Sequence, residues 1–428
     1  MIVSALLLAA VACPQGDAPY LGEPIRYERT DTTDPVARLA ARIAAKATTL
    51  ARDERFGLLP ALLDELDAPR ETQALVFSKT SFQNALISPR NPRAIYFGDD
   101  VYVGSVPGSK VFELTGVDPE QGPIFYTLTD EADGPRIVRR DAECLRCHAL
   151  GWTDEWPGVL VRSVHPDPDG TPVMRLGSTV TTHESPFAQR WGGWYVTGTH
   201  GEARHLGNVA LDAEDDVALD VERGANVVDL SERCAIERHL TPHSDLVALM
   251  VLEHQTRAHD LIAQASYRAR LALHRQAATD EALGAAQGAA ISDATRSRLK
   301  EIADELLQYL LFRHEPTLPA PIAGTSDFAV RFAERGPRDR AGRSLRELDL
   351  GTRLFRWPVS YVIQGESFRR LPAPVLDIVL LRMLRILQGR SGLRAYGHLE
   401  PEQRRAVLEI LADTLPWLPS EWRAAVGR

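Results

Sequence analysis

The chain is poor in sulfur. It has four cysteines and four methionines in 428 residues, too few cysteines for a disulfide framework. It also lacks any excess of positive charge. A formal net charge of −9 argues against nucleic acid or an anionic membrane surface as a partner. Past the N-terminus no apolar run is long enough to cross a bilayer, so no span is expected in the mature chain. The second half of the chain has no nucleotide-binding glycine loop, no nucleophile elbow and no paired zinc spacing. What remains, 44% apolar and 25% charged residues, is the composition of an ordinary globular protein with enough chain for about two or three domains.

Two of the scarce cysteines sit together. Residues 144–148 read Cys144-Leu145-Arg146-Cys147-His148, the C-x-x-C-H spacing of covalent c-type haem attachment. Each thiol can add across a haem vinyl group, and the adjacent imidazole then supplies the proximal iron ligand. By chance the pattern would arise about 0.001 times in a chain of this composition. A half zinc site and a thioredoxin-like redox pair are the competing readings. The first wants two further paired ligands, and the second wants a helix opening after a strand in a βαβ unit. Neither context is evident here. One covalent haem c is therefore expected.

Beyond the motif, which resembles that of c-type cytochromes in general, further blocks resemble a family of secreted bacterial single-haem proteins. They are residues 74–81 (ALVFSKTS), 94–104 (AIYFGDDVYVG), 190–201 (RWGGWYVTGTHG) and 352–358 (TRLFRWP). The resemblance implies a haem protein and brings no reaction with it. It does not imply the small helical cytochrome fold, because the motif lies in strand-rich sequence.

The N-terminus fits export. Ile2 to Ala12 form a short apolar run closing on Ala10-Val11-Ala12 before Cys13, the pattern of a secretory leader without its usual basic start. Either cleavage or lipidation at Cys13 would follow, and the alternative is a buried first element. A leader over residues 1–20 and a periplasmic or otherwise extracytoplasmic protein, with Cys13 as a possible lipid anchor, are expected. Cys234 is left as a buried small apolar residue.

The rest of the chain divides by pattern. Asp34 before Pro35 should cap a helix running towards Arg52, and a second helix is expected over 58–66. Strand patterns follow at 74–78, 94–97, 101–104, 111–114 and 123–128, an antiparallel meander. The haem motif would sit after it in a polar connection. Further strands are expected at 159–164, 174–176 and 193–197. The Asp-rich turn at 165–170 partly matches a calcium loop but lacks its later Glu. From Thr241-Pro242 the pattern becomes helical, with 244–273 free of Gly and Pro, then 292–313, 371–390 and 401–415. An α+β protein is expected: a strand-rich haem domain over 21–235 and a helical domain over 236–428.

The distal iron ligand separates the possible functions. A strong second ligand makes an electron carrier, whereas an open position admits O₂ or peroxide. Met174 is the one plausible thioether, since Met250 and Met383 lie in apolar helical stripes. Among histidines, His200 follows the aromatic block with Trp191 and Trp194 and is preferred. His183 comes second, and His205, next to Arg204, suits a propionate. His254 and His259 are five apart, about 140° around a helix, and read as structural. Arg139, Arg140, Arg146, Arg162 and Arg190 are candidate propionate partners. The expected function is an electron carrier serving a redox partner protein, with a haem enzyme or a haem-based sensor as alternatives.

Overall fold

Asp34 caps the first helix as its place before a proline predicts: its carboxylate accepts the N–H groups of Val36 and Ala37 at 2.9 and 3.0 Å. This computed structural model describes residues 18–213, 218–285, 290–391 and 394–427. Of the leader expected over residues 1–20, residues 1–17, with Cys13, lie outside them, and Tyr20 is buried in the core. Helix α1 (Pro35–Ala44) ends well short of Arg52, and α2 (Leu59–Glu65) follows.

The meander is a single antiparallel sheet of six strands in sequence order: β1 (Ala74–Val76), β2 (Arg93–Phe97), β3 (Val101–Ser105), β4 (Val111–Asp118), β5 (Gly122–Glu131) and β6 (Gly134–Arg139). The last strand carried no clear sequence signal. Alternation gives the sheet two faces. One buries Val101, Val103, Leu114 and Leu128 against Leu39, Leu62 and Leu63 of α1 and α2. The register aligns Ile95, Gly104, Glu113 and Thr127 in one row of the other face, with Tyr102, Thr115 and Phe125 in the next.

The motif is not in an irregular connection. It forms the end of a short helix, α3 (Asp141–His148), that starts two residues after β6. Strands β7 (Val161–Val164) and β8 (Ser178–Thr181) pair with each other. Residues 174–176 are one 3₁₀ turn, not a strand, and the expected strand at 193–197 is irregular, with β9 (Gly198–Thr199) just beyond it.

The helical part opens with α4 (Leu246–Ala282), 37 residues long. It is capped by Asp245, which accepts Val247 N–H at 2.8 Å, rather than by Thr241-Pro242. Helices α5 (Asp293–Leu310), α6 (Phe328–Glu334), α7 (Glu366–Arg369), α8 (Ala373–Leu387), α9 (Pro401–Thr414) and α10 (Ser420–Ala425) follow, and β10 (Ala323–Gly324) pairs with β9. The protein is thus α+β, strands first and helices after.

The core does not divide where the pattern changes. Tyr102, Trp191 and Trp194 share one apolar cluster with Leu246 and Leu249, and Ala263 and Tyr267 of α4 join the cluster under the sheet. Most of α4 is buried, including Glu253, His254, Gln255, His259, Asp260 and Gln264. Each of these polar groups has a hydrogen-bond partner, the condition under which a helix tolerates such burial.

Candidate functional site

Helical spacing explains the motif. Positions i, i+3 and i+4 share one helix face, so α3 presents Cys144, Cys147 and His148 together. Leu145 anchors the helix, 3% exposed, while Arg146 is exposed. Cys144 is half-buried, Cys147 exposed, and both are free thiols.

His148 is held from behind. Its Nδ1 lies 2.8 Å from the Gly158 carbonyl oxygen, and Gly158 N–H donates to the His148 carbonyl at 2.8 Å. A carbonyl only accepts, so Nδ1 carries the hydrogen and Nε2 keeps its lone pair. Burial, the largest influence, pushes the imidazole pKa down. The ring packs on Phe125 with centroids 4.6 Å apart.

All three side chains border a cavity of about 530 Å³, within the ~300–1,000 Å³ range of cofactor pockets. One wall is the second face of the sheet. The facing wall comes from Val159–Arg162, Trp152, Trp194 and, on α4, Leu252 and Thr256. Gly104 leaves room for a cation on the sheet: a Cβ there would lie 2.6 Å from Arg93 Nη2. Arg93 pairs with Glu113, which also accepts Gln83 Nε2–H at 2.8 Å. Across the cavity, Arg162 stands 4.9 Å over the Trp152 ring and donates to Ser178 Oγ at 3.0 Å. The Nε atoms of Arg93 and Arg162 are buried without a partner.

These residues fit a haem. Two thiols and a neutral imidazole meet at a largely apolar cavity of the right size, and two arginines bring unsatisfied donors suited to propionate carboxylates. A redox pair needs a cysteine with a depressed pKa. Burial, followed by Glu113 and Glu143, instead pushes the Cys144 thiol up to about 12. A zinc site needs more ligands, and among the described residues no group of three His, Cys, Asp or Glu is placed to hold a metal ion.

The other sequence candidates scatter. Trp194 lines the cavity and its indole N–H donates to the Arg162 carbonyl at 2.7 Å. Arg162 and Arg140 line it as well. Arg190 and Trp191 do not: both bind Glu253 of α4, Trp191 Nε1–H at 2.8 Å and Arg190 in a buried ion pair. Arg139 pairs with Asp141 at 2.8 Å. His200 uses both nitrogens on backbone groups, donating from Nδ1 to Ala203 O of its own turn at 2.8 Å and accepting Asn226 N–H of a distant loop on Nε2 at 2.9 Å. His205 Nδ1 accepts Gly207 N–H at 3.0 Å. His183 is buried, 2.8 Å from His254 through their Nδ1 atoms. Met174 is 69% exposed. None of these four borders the cavity.

Sequence reading missed Arg93, Glu113, Tyr102 and Phe125. Period-two alternation along β2–β5 would have grouped them on one face. Nothing in the sequence marked which face turns towards α3.

Comparison of the chain with known protein families, with curated proteins and with solved structures found no match.

Proposed function

We propose that this chain is an exported c-type haem protein that holds one haem through Cys144 and Cys147, offers His148 to its iron, and leaves the opposite coordination position to a small molecule such as dioxygen or peroxide. The haem, once bound, supplies the redox and ligand-binding chemistry. The chain's own residues anchor, orient and shield it. Gly158 aims the imidazole of His148, the apolar cavity wall keeps water out, and Arg93 and Arg162 offer N–H donors to carboxylates.

The observation that carries this reading is His148: its one free lone pair belongs to a ring that borders a cofactor-sized cavity beside both thiols. The open position is supported by the lining, in which the described residues include a single imidazole and no thioether. Export belongs to the reading because thioether attachment takes place outside the cytoplasm. Cleavage before Cys13 and lipidation on it are the two outcomes for the leader. Among the described residues no helix is long and apolar enough to cross a membrane.

An electron carrier docking a redox partner is the second reading. It is favoured by Phe82, Leu150 and Trp152, which border the cavity yet are 62%, 42% and 37% exposed. Such an apolar rim brings a partner close to the cofactor.

The test is expression in a bacterial periplasm equipped for haem ligation. Pigment that survives denaturation and acidified acetone in the wild type, and is lost in a Cys144→Ala/Cys147→Ala variant, is expected. A colourless mature protein overturns the reading. A Soret band shifted by carbon monoxide in the reduced protein supports the open position, and an unchanged spectrum supports the carrier.

A further inference from the structure

A stripe of α4 grips the loop that follows the motif. Arg257, Asp260, Gln264 and Tyr267 stand at i, i+3, i+7 and i+10, one face of a helix. Arg257 pairs with Asp154 at 2.9 Å, Gln264 Nε2–H donates to Thr153 O at 3.2 Å, and Tyr267 stacks on Trp156 at 5.5 Å. Asp260 does something more specific. Its Oδ1 accepts the Val159 N–H at 2.8 Å. That N–H belongs to the same peptide group as the Gly158 carbonyl, which accepts His148 Nδ1–H at 2.8 Å. Carboxyl, peptide and imidazole therefore form one chain of hydrogen bonds running from α4 to the proximal ligand.

Gly158 is required for this approach. A Cβ there would sit 2.8 Å from Asp260 Oδ2 and 2.9 Å from its Cγ, so the carboxyl lies against the α-carbon. Asp260 is 2% exposed, which shields the contact from competing water.

We propose that Asp260 is a positioning residue for His148: by accepting the Val159 N–H it fixes and polarises the 158–159 peptide, and so sets the electron-donating strength of the imidazole and the reduction potential of the haem. An amide whose N–H is bound to a good acceptor has a more negative carbonyl oxygen, because hydrogen bonds in a chain polarise one another. The stronger acceptor draws the Nδ1 hydrogen and makes Nε2 a better donor, and partners of this kind tune a metal through its histidine. A better donor favours the oxidised iron. The proposal rests on the haem reading above.

The test uses the holoprotein and measures the midpoint potential by spectroelectrochemical titration. Asp260→Leu removes the acceptor, and an upward shift equivalent to about tenfold in the redox equilibrium, ~59 mV for one electron, is expected. Asp260→Asn keeps the shape and an acceptor oxygen, and should move the potential the same way by less; it decides the matter if the leucine variant does not fold. Gln264→Leu loosens the same loop without touching the 158–159 peptide and should leave the potential in place. Potentials equal to wild type in both Asp260 variants overturn the proposal while leaving the haem reading intact. So does a Gln264→Leu shift as large as theirs, since the effect would then be loop loosening. A wild-type chain that never retains haem overturns both.

Discussion

Both nitrogens of His200 hold backbone groups, Ala203 O in its own turn and Asn226 N–H in a distant loop, and its ring packs on Phe187 and His205. His200→Ala should leave the haem spectrum unchanged. It should cost about 1–3 kcal/mol in thermal or denaturant unfolding, because the Ala203 carbonyl and Asn226 N–H lose their partners. The buried histidines also shape the acid response. Burial is the first cause in each case: His239 and His259 are pushed down to about 4, His205 and His254 to about 3. A folded-state value below the unfolded one means stability that is full above about pH 6.5 and lost as the pH falls towards the folded value. Glu253, pushed up to about 7 by burial, has the opposite slope, so comparison with a single variant isolates one imidazole. The stability advantage of wild type over His259→Gln should shrink by about 3 kcal/mol between pH 6.5 and pH 4, at ~1.4 kcal/mol per pKa unit. An advantage constant over that range in urea titrations would refute this. That Cys144, Cys147 and His148 lie together was legible because their spacing puts them on one helix face. Arg93 and Asp260 were not, since a lone charged residue carries no spacing.

Elements were legible in proportion to their periodicity. Strands β2–β5 alternate, and α4 runs without Gly or Pro, so these announced themselves. Helix α3 did not: it has eight residues, one of them buried, and no apolar stripe to read. Caps were partly legible. The cap at Asp34-Pro35 follows the sequence pattern, whereas the expected start at Thr241-Pro242 gives way to Asp245. The reason is visible in its partners. Asp245 accepts not only Val247 N–H but also Ser326 N–H at 2.9 Å and Ser326 Oγ–H at 2.7 Å, tying the start of α4 to the segment before α6. Asp245→Ala should therefore cost about 2 kcal/mol, the upper end for an N-cap, with Asp245→Asn recovering part of it. Thermal unfolding followed by circular dichroism checks both. A loss under about 0.5 kcal/mol, the low end for a cap, would mean that Ser326 adds nothing.

At the scale of the whole molecule, the change from strands to helices was readable and the absence of a core boundary was not. Composition and pattern report local structure, while packing between distant segments leaves no local trace. The buried ion pair of Arg190 with Glu253 spans the expected boundary, as do the α4 contacts to the motif loop. A fragment of residues 21–235 should consequently fail to unfold cooperatively and should bind hydrophobic dyes, since Tyr102, Trp191 and Trp194 would lose the helix that covers them. A sharp calorimetric transition from that fragment would restore the two-domain view. The six-stranded sheet has a last consequence. Its antiparallel ladder makes one side of the cavity a stiff plate rather than a loop. In the function proposed for this chain, a flat cofactor resting on such a plate would meet walls that barely move when its charge changes by one electron. Low reorganisation energy of that kind would let an electron arrive and leave quickly, which serves the small-molecule reading and the carrier reading alike.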